Sequence, residues 1–227
     1  MSSKALEDYL KIIYKLEEVG DSSKGVSTSS IAERLAISQA SVSNMIKKLA
    51  DKQLIVYEPY YGVTLTESGR DVALGMIRKH RILELFLVER LGYSWDEVDE
   101  EAEVLEHAVS DKLTKRMWEE LGRPTQDPHG SPIPDESGAI FEAPSIRLAD
   151  CEIAKPFRVQ RIQNRTPAEL RYLFSIGLVK GAQVTVQKKA PFNGPVSIDI
   201  NGILQALDYR LAESIYVIAS PVMEAKN

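Results

Sequence analysis

Along the first 121 residues, apolar side chains recur every three or four positions, the spacing of amphipathic helices. The pattern predicts a helix over residues 4–19 that ends at Gly20. Two short helices follow, the first with Thr28 or Ser29 as its N-cap and the second capped by Ser38. Two short helices joined by a tight turn form the helix-turn-helix arrangement, so the pattern favours a DNA-binding unit.

The periodicity then changes to that of a hairpin and returns to that of helices. Residues 54–57 and 63–65, separated by a turn that contains Pro and Gly, predict the two strands of a wing. Amphipathic helices are predicted over residues 68–91, 96–110 and 111–121. Helices with one apolar face suit an interface between two copies of a chain, so we expect a helical dimerisation domain here.

Prolines and glycines mark residues 122–147 as a linker with some ordered structure. Beyond it the pattern alternates, and strands are predicted over residues 157–162, 183–187, 196–200 and 214–218, with a short helix over 167–175. A small β-barrel is the natural closure of such strands. The fold class is therefore mainly α with some β: a winged helix-turn-helix domain over residues 1–72, a helical dimerisation domain over 73–142, and the barrel over 150–221.

Composition narrows the class of protein. The 227-residue chain has a net charge of −5, yet residues 1–52 hold eight Lys and Arg against seven Asp and Glu, whereas residues 96–120 hold three against ten. The acidic excess therefore lies outside the predicted DNA-binding domain, where a cation would relieve it. No apolar run is long enough to cross a bilayer and no secretion signal is present, which predicts a cytoplasmic protein without a membrane partner. A single cysteine, Cys151, excludes an intrachain disulfide and a multi-cysteine zinc site.

In a helix-turn-helix the second helix enters the major groove, and residues near its N-terminus reach the bases. The residues predicted to contact DNA from this helix are Ser38, Gln39, Ala40, Ser41, Ser43, Asn44, Lys47 and Lys48. Asn and Gln pair with adenine, Ser donates or accepts, and an Ala methyl meets the thymine methyl. Further phosphate contacts are predicted for Thr28, Ser29, Tyr60 and Tyr61. Because one copy carries few basic residues, we expect a dimer that reads two half-sites of double-stranded DNA.

Carboxylates and imidazoles with metal-ligand spacing occur in the middle of the chain. Glu103, Glu106 and His107 lie three and four residues apart in a predicted helix and project from one side of it. His80 and Glu84 have the i, i+4 relation in the preceding helix. By ligand type, a donor set of this kind without thiolate favours manganese or ferrous iron over zinc or copper.

Four motifs are similar to those of one known family. They are Leu-Glu-Asp-Tyr-Leu at 6–10, Arg-Lys-His-Arg-x-x-Glu at 78–84, Glu-x-x-Glu-His-x-x-Ser-Asp at 103–111 and Pro-His-Gly-x-Pro-Ile-Pro at 128–134. With these motifs the chain resembles the diphtheria toxin repressor and manganese transport regulator family from about residue 5 to 140. The segment Ala-Glu-Leu-Arg-Tyr-Leu-Phe-Ser-Ile-Gly-Leu, which begins at residue 168, resembles the SH3-like FeoA domain of many members.

The resemblance implies a homodimeric, metal-activated transcription factor, usually a repressor of metal-uptake genes, that binds a palindromic operator. It also implies a main metal cluster made of Asp8, His80, Glu103, Glu106 and His107. Manganese is favoured and ferrous iron is the alternative, because iron-sensing members have sulfur ligands at the positions of Asp8 and Glu103. Lys11 departs from the pattern, since the short manganese regulators have a glutamate there, and this argues against a closely spaced pair of metal ions.

The same resemblance implies a second metal site in members with a third domain. Its candidates here are Glu84 and the segment Asp127-Pro-His129, in which a cysteine often stands at the position of Asp127. Glu169, in the predicted helix of the third domain, is a further candidate ligand.

Two other functions fit parts of the sequence. A metallohydrolase would use the same carboxylates around a water molecule, but it leaves the polar helix at 38–48 without a role. A winged-helix regulator controlled by an organic ligand, or by a partner bound to the barrel, would leave the acidic helix as a solvated face. We therefore expect a transcriptional regulator and not an enzyme. Measuring bound metal and DNA affinity in the same sample separates the three functions.

Overall fold

The structure, a computed structural model, describes residues 4–19, 24–163 and 166–220. They form two compact units. The first unit contains residues up to His80 together with Glu106–Ala108 and Pro134–Ala139, and the second contains Arg81–Leu105, Val109–Ile133 and the residues from Ile140 onwards. Within the described ranges, no helix has the length and apolar character needed to span a membrane.

The helices are α1 (Lys4–Val19), α2 (Thr28–Leu35), α3 (Gln39–Asp51), α4 (Glu67–Leu91), α5 (Val98–Leu105), α6 (Asp111–Glu120), α7 (Pro167–Ser175) and α8 (Tyr209–Ser214), with a short 3-10 helix at Leu148–Asp150. The strands are β1 (Ile55–Glu58), β2 (Gly62–Leu65), β3 (Ile146–Arg147), β4 (Pro156–Ile162), β5 (Gln183–Lys189), β6 (Val196–Ile200), β7 (Ile203–Leu207) and β8 (Ile215–Ala219).

In the first unit, α1, α2 and α3 precede the antiparallel β1–β2 hairpin, which is the winged helix-turn-helix layout. The apolar stripes predicted from the sequence are buried, and the completely buried side chains include Leu10, Ile13, Ile31, Val42, Leu49 and Val63. Ser38 caps α3 by accepting a hydrogen bond from the Ser41 amide, as predicted. The prediction for α2 is wrong by one residue, because Ser27 is the N-cap and Thr28 already belongs to the helix.

The second unit contains a helical part and a sheet. In the helical part, Ile82 and Leu83 of α4 pack with Ala102 of α5, Met117 of α6 and Ile133. The sheet is antiparallel with strand order β3-β8-β4-β5-β6-β7, and β-bulges interrupt the β4–β8 and β5–β6 pairings. One apolar core built from these strands, α7 and α8 fills its interior, as expected for a small SH3-like domain.

Several elements differ from the prediction, and β3, β7 and α8 were not predicted. The helix predicted over residues 96–110 runs only from Val98 to Leu105, and residues 106–108 form a turn. Strand β7 was not predicted, because Ile203 and Leu204 are exposed and interrupt the alternation that marks a half-buried strand. Gly20, the predicted end of the first helix, lies outside the described residues.

Candidate metal centres

A group of ionisable side chains meets in the first unit, and we call it the first cluster: Glu7, Asp8, Lys11, His80, Glu106 and His107. Glu7, Asp8 and Lys11 lie on one face of α1, because position 11 follows position 7 by four residues and position 8 by three. The 106–107 turn brings the carboxylate of Glu106 and the imidazole of His107 to that face. Ligand atoms of Asp8, Glu106 and His107 all lie within 4.8 Å of one another.

Glu106 is the buried centre of this cluster and is fully inaccessible to solvent. Its Oε1 and Oε2 lie 2.7 and 2.8 Å from Lys11 Nζ, and Oε2 lies 2.7 Å from His80 Nδ1. Burial alone would raise the pKa of the Glu106 carboxyl, but the hydrogen bond from His80 and the charge of Lys11 outweigh it and lower that pKa below its ordinary value. Glu106 is therefore held as a carboxylate.

His107 lies between two carboxylates of α1. Its Nδ1 is 2.9 Å from Oε2 of Glu7, and its Nε2 is 2.8 Å from Oδ1 of Asp8. The same Nε2 is 3.6 Å from Oε1 of Glu106. Sequence reasoning did not single out Glu7, whose position before Asp8 on α1 gives no distinct signal, because an acidic residue in the first turn of a helix is common.

Glu103 was predicted to project from the same helix face as Glu106 and His107. The helical range behind that prediction is wrong, because α5 ends at Leu105. Glu103 belongs to the second unit, where it is half-buried, whereas Glu106 and His107 belong to the first. Residues 106–108 form a turn, and the next helix, α6, begins after Ser110, whose side chain accepts a hydrogen bond from the Leu113 amide.

Glu84, Asp127 and His129 form a second cluster, in the second unit. All three side chains are fully buried, and a ligand atom from each lies within 4.8 Å of the other two. His129 Nδ1 is 3.6 Å from Oε1 of Glu84. Asp127 Oδ2 also lies 3.9 Å from Arg81 Nε, so part of the buried charge is paired, and the convergence of three donors is what makes this cluster a candidate metal site.

The geometry determines which nitrogen of His129 faces the carboxylate. Nε2 lies 2.7 Å from the backbone carbonyl oxygen of Trp95, which only accepts, so Nε2 carries the proton. Nδ1 is the nitrogen that faces Glu84. The Trp95 ring stacks on the imidazole with its centroid 5.3 Å away and fixes the ring plane. A metal-binding histidine usually donates its second ring N–H to a carboxylate, a backbone carbonyl or water, and the contact of Nε2 with the Trp95 carbonyl fits that arrangement.

The backbone of residues 127–131 positions the second cluster. Asp127 Oδ1 accepts hydrogen bonds of 2.8 Å from the amides of both His129 and Ser131. Gly130 has φ +93°, and a Cβ there would lie 1.9 Å from the carbonyl oxygen of Gln160. The conformation therefore requires glycine. The carbonyl oxygen of His129 accepts a hydrogen bond of 3.0 Å from the Ile162 amide in β4.

Glu169 is engaged with another partner. Its Oε1 lies 2.5 Å from the guanidinium of Arg210, and its backbone amide is capped by Thr166. Burial would raise the pKa of the Glu169 carboxyl, but the hydrogen bond from Arg210 lowers it below its ordinary value. Among the residues that the structure describes, Glu169 does not join the group formed by Glu84, Asp127 and His129.

The DNA-contacting residues predicted for α3 are all exposed, which leaves this helix face open along its length. Two of its hydroxyls already have partners, because Ser41 lies 2.9 Å from the capping Ser38 and Ser43 donates to the Gln39 carbonyl at 2.9 Å. Gln39 and Asn44 therefore offer the exposed amide side chains of this face. In the wing, Tyr60 is completely exposed and has φ +66°. Ser29 is exposed and Thr28 is half-buried at the start of α2.

The donors of both clusters fit a hard divalent cation. The described donors are carboxylate oxygens and imidazole nitrogens, the ligands that suit manganese and iron(II). Cys151 is buried in the core of the sheet domain and belongs to neither group. The buried donors of the second cluster and the converging carboxylates of the first are arrangements that a cation would stabilise.

Comparison with known proteins places this geometry in a family. Residues 1–63 match the family model described as iron dependent repressor, N-terminal DNA binding domain. Residues 66–135 match the model described as iron dependent repressor, metal binding and dimerisation domain, and residues 146–219 match the FeoA domain.

Individual relatives extend over most of the chain. The iron-dependent repressor IdeR of Mycobacterium tuberculosis is 32% identical over 209 residues, which cover 86% of this chain and 88% of IdeR. The diphtheria toxin repressor of Corynebacterium efficiens is 30% identical over 93% of this chain and 94% of its own. A solved structure described as a manganese-dependent transcriptional repressor in complex with manganese is 42% identical, with a TM-score of 0.86 over 95% of this chain and all of that one.

These findings define the class as metal-dependent transcriptional repressors with a DNA-binding domain, a dimerisation domain and a FeoA domain. The chain belongs to the iron-dependent repressor family, which includes the diphtheria toxin repressor.

Proposed function

We propose that the protein is a manganese(II)-dependent repressor of metal-uptake genes that binds a palindromic operator as a homodimer when it is loaded with metal. The observation that carries this proposal is the convergence of Asp8, Glu106 and His107 within 4.8 Å in the first unit. Asp8 lies in the part that matches a DNA-binding domain, and the other two lie in the part that matches a metal-binding and dimerisation domain.

The residues that would hold the activating ion are Asp8, His80, Glu103, Glu106 and His107. Of these, the place of Glu103 in the ligand set follows from family resemblance. A divalent cation supplies, when bound, two positive charges that the carboxylates of α1 and of the 106–107 turn can share. Asp8 and His107 then hold α1 to the turn, and α1 packs in the same unit as α3. The orientation of the DNA-reading helix would thereby depend on the ion.

This coupling explains how metal changes DNA affinity. Without the ion, Glu106 is paired with Lys11 and His80, and only His107 lies between Glu7 and Asp8, so α1 would be held to the 106–107 turn less firmly than with the ion. An operator with two half-sites requires two reading heads at one spacing, so ordering them costs conformational entropy. Metal shifts the equilibrium towards the DNA-binding form, and the size of the shift is set by the difference between the metal affinities of the two forms.

Manganese is proposed over iron because of donor type. The described first cluster offers only oxygen and nitrogen, and Asp8 stands where iron-sensing relatives are expected to have sulfur. A similar solved structure is described as manganese-dependent, whereas IdeR is described as iron-dependent. Ferrous iron is the alternative cofactor, and titration with each ion under anaerobic conditions distinguishes them.

The second cluster is proposed as an additional metal site. Glu84, Asp127 and His129 supply three buried donors, and His129 Nδ1 lies 3.6 Å from Oε1 of Glu84. Glu169, named by family resemblance as a further ligand, would first have to leave Arg210. We propose a supporting role for this site in the second unit.

For DNA, we propose that Gln39, Ala40 and Asn44 contact bases. Phosphate contacts are assigned to the exposed cations Lys47 and Lys48 and to Tyr60 at the wing, with Thr28, Ser29, Ser38, Ser41 and Ser43 as hydroxyl donors. We also propose the domain boundaries 1–72, 73–142 and 150–221 expected from the sequence.

The function is tested by DNA binding with and without metal. Duplexes selected from a random-sequence pool with the Mn²⁺-loaded protein provide the probe, and fluorescence anisotropy measures affinity in Mn²⁺ and after exhaustive chelation. We expect chelation to abolish specific binding, and we expect Asp8→Ala and Glu103→Ala to abolish the response to Mn²⁺. Glu18→Ala, which removes an exposed carboxylate from the same helix as Asp8, is the matched control and should respond like the wild type. Equal affinity before and after chelation would refute the proposal.

A further inference from the structure

The two ring nitrogens of His107 have different surroundings in the first cluster. Nδ1 lies 2.9 Å from Oε2 of Glu7, a hydrogen bond between side chains 100 residues apart in the chain. An ionised carboxylate only accepts hydrogen bonds, so Nδ1 is the donor in this contact. Nε2 lies 2.8 Å from Oδ1 of Asp8, but this buried nitrogen has no hydrogen-bond partner of suitable geometry among the described residues.

The unsatisfied nitrogen faces the side of the cluster where an ion would be shared. A buried polar atom without a hydrogen bond is costly unless another partner, such as a cation, satisfies it. Nε2 has a carboxylate oxygen of Asp8 at 2.8 Å and one of Glu106 at 3.6 Å. Ligand atoms of these three residues all lie within 4.8 Å of one another. Nε2 is therefore the nitrogen of His107 that is available to an ion.

Glu7 reaches the other edge of the ring because of its place on α1. It precedes Asp8 by one position, and neighbouring positions of a helix are about 100° apart around the axis, so the two carboxylates flank the imidazole. The side chain of Glu7 is 22% exposed and that of His107 is 10% exposed, so water competes little for the contact. A carboxylate that accepts from one ring nitrogen fixes the ring orientation and makes the other nitrogen a stronger metal ligand.

We propose that Glu7 is a positioning residue of the first cluster, which holds Nδ1 of His107 so that Nε2 binds the divalent ion. The inference rests on the proposed function, because it concerns the same ion. Glu7 acts through His107 and does not bind the ion itself, since its carboxylate contacts the nitrogen that faces away from Asp8 and Glu106. Loss of such a partner typically weakens metal affinity about 10–100-fold.

Substitutions test whether Glu7 acts through His107. Glu7→Ala removes the contact, whereas Glu7→Gln keeps an oxygen acceptor at the same length without the charge. Glu18→Ala removes an exposed carboxylate from the same helix and is the matched control. The dissociation constant for Mn²⁺ is measured on the full-length protein from the electron paramagnetic resonance signal of the free ion. Binding at the first cluster is the part of the titration that Asp8→Ala removes.

We expect Glu7→Ala to raise this dissociation constant about 10–100-fold, and Glu7→Gln to raise it less because an acceptor remains. Glu18→Ala should bind Mn²⁺ like the wild type. A double-mutant cycle separates a positioning role from a direct one: in a chain that carries His107→Ala, the further change Glu7→Ala should alter the remaining affinity by no more than about twofold, because the ring through which Glu7 acts is gone.

A second measurement uses the wild-type protein alone. Nitrogen–proton correlation spectra of the Cd²⁺-loaded protein identify the ring nitrogen that binds a divalent ion, because Cd²⁺ is diamagnetic. The chain has three histidines, so the signals of His107 can be assigned from the His107→Ala spectrum. We expect Cd²⁺ on Nε2 and a proton on Nδ1.

The outcomes distinguish this inference from the proposed function. Unchanged Mn²⁺ affinity in Glu7→Ala, when Asp8→Ala has lost binding, overturns the inference and leaves the proposed function intact. An equal loss from Glu7→Ala with and without His107 also overturns it, because Glu7 then acts as a ligand or through the fold. Cd²⁺ bound to Nδ1 of His107 in the wild type overturns it even if the variants do not fold. A wild type that binds no Mn²⁺ overturns the proposed function together with the inference.

Discussion

The two clusters use similar donors in different settings. In the first cluster, donors from α1, from His80 of α4 and from the 106–107 turn meet around a buried lysine. Glu7 and Asp8 in this cluster remain partly exposed. In the second, three fully buried donors include two from one tight turn, whose backbone amides orient Asp127. The first cluster joins three separate elements, and binding an ion would order them relative to one another. The second cluster joins only α4 and one turn that its own hydrogen bonds already hold, so binding an ion there would change less. We therefore expect the first cluster to regulate and the second to stabilise.

The largest effect is expected from Glu106→Gln, which tests the first cluster. The substitution removes the carboxylate whose oxygens lie 2.7 and 2.8 Å from the Lys11 ammonium, which is only 2% exposed. Removing one partner of a buried ion pair costs about 3–5 kcal/mol, so we expect a loss of this size in the free energy of unfolding, measured by urea denaturation in the presence of chelator. Glu7→Gln, at the partly exposed rim, should cost about 1 kcal/mol or less.

A double variant sharpens this prediction. Lys11→Met with Glu106→Gln removes both charges, so it should recover most of the stability lost in Glu106→Gln alone. If Glu106→Gln unfolds at the same urea concentration as the wild type, then the ion pair does not contribute to stability in solution.

The next largest effect is expected from Glu84→Gln, which distinguishes metal binding at the second cluster from metal binding at the first. Glu84→Gln keeps the shape of the side chain and removes a charge that faces His129 Nδ1. One ion at a concentration 100 times its dissociation constant stabilises the folded state by about 2.7 kcal/mol. We expect Glu84→Gln to lose a metal-dependent increment of this size in thermal or urea unfolding while the Mn²⁺ dependence of DNA binding remains. Glu89→Gln, on the exposed side of α4, should keep the whole increment.

A smaller effect is expected from Gly130→Ala, which alters the turn that carries His129. A Cβ at this position meets the Gln160 carbonyl oxygen at 1.9 Å, in addition to the cost of φ +93°. Strained backbone of this kind costs about 1–3 kcal/mol, and we expect the free energy of unfolding to fall by that amount. Gly122→Ala is matched in having φ +78° but has open space around it, so its cost should be lower. Equal losses in the two variants would show that the contact with Gln160 is unimportant.

The smallest effect concerns Cys151, which lies outside both clusters. Burial raises the pKa of the Cys151 thiol to about 11 from an ordinary value of 9.0. A raised pKa means that the folded state binds the proton more tightly, so this contribution to stability is present below pH 9.0 and is lost as the pH rises towards 11. Alkylation by iodoacetamide, followed by mass spectrometry, should therefore be slow in the folded protein at pH 8 and fast after unfolding, and addition of Mn²⁺ should not change it. Protection by Mn²⁺ would indicate that sulfur takes part in metal binding.

Much of the fold could be predicted from the local pattern of apolar and polar residues in the sequence. The helix predicted over residues 4–19 has the bounds of α1, the helix predicted over 167–175 has the bounds of α7, and the cap at Ser38 is present. These features depend on the spacing of apolar residues and on hydrogen bonds within a few positions of the chain. Strand β7 escaped prediction because its stability comes from pairing with β6 and not from its own alternation.

For the two candidate metal centres, the sequence indicated which residue types are present but not which of them are in contact. Carboxylates and imidazoles at metal-ligand spacing identified Glu106, His107 and His80, and family resemblance added Asp8 and His129. The contact of Glu7 with His107 joins positions 100 residues apart, and that of Trp95 with His129 joins positions 34 apart. Such contacts have no local signature.

By itself the sequence determined most of the helices and strands, which family the motifs resemble, and which chemical groups are available to a cation, because each of these depends on residue type and short-range spacing. Only the tertiary structure decided that α5 ends before Glu106, that Lys11 lies against both oxygens of that carboxylate, and that Nε2 of His129 faces the Trp95 carbonyl while Nδ1 faces Glu84. The physical reason is that burial gives these long-range ion pairs and hydrogen bonds their strength, and burial exists only once distant segments have packed together.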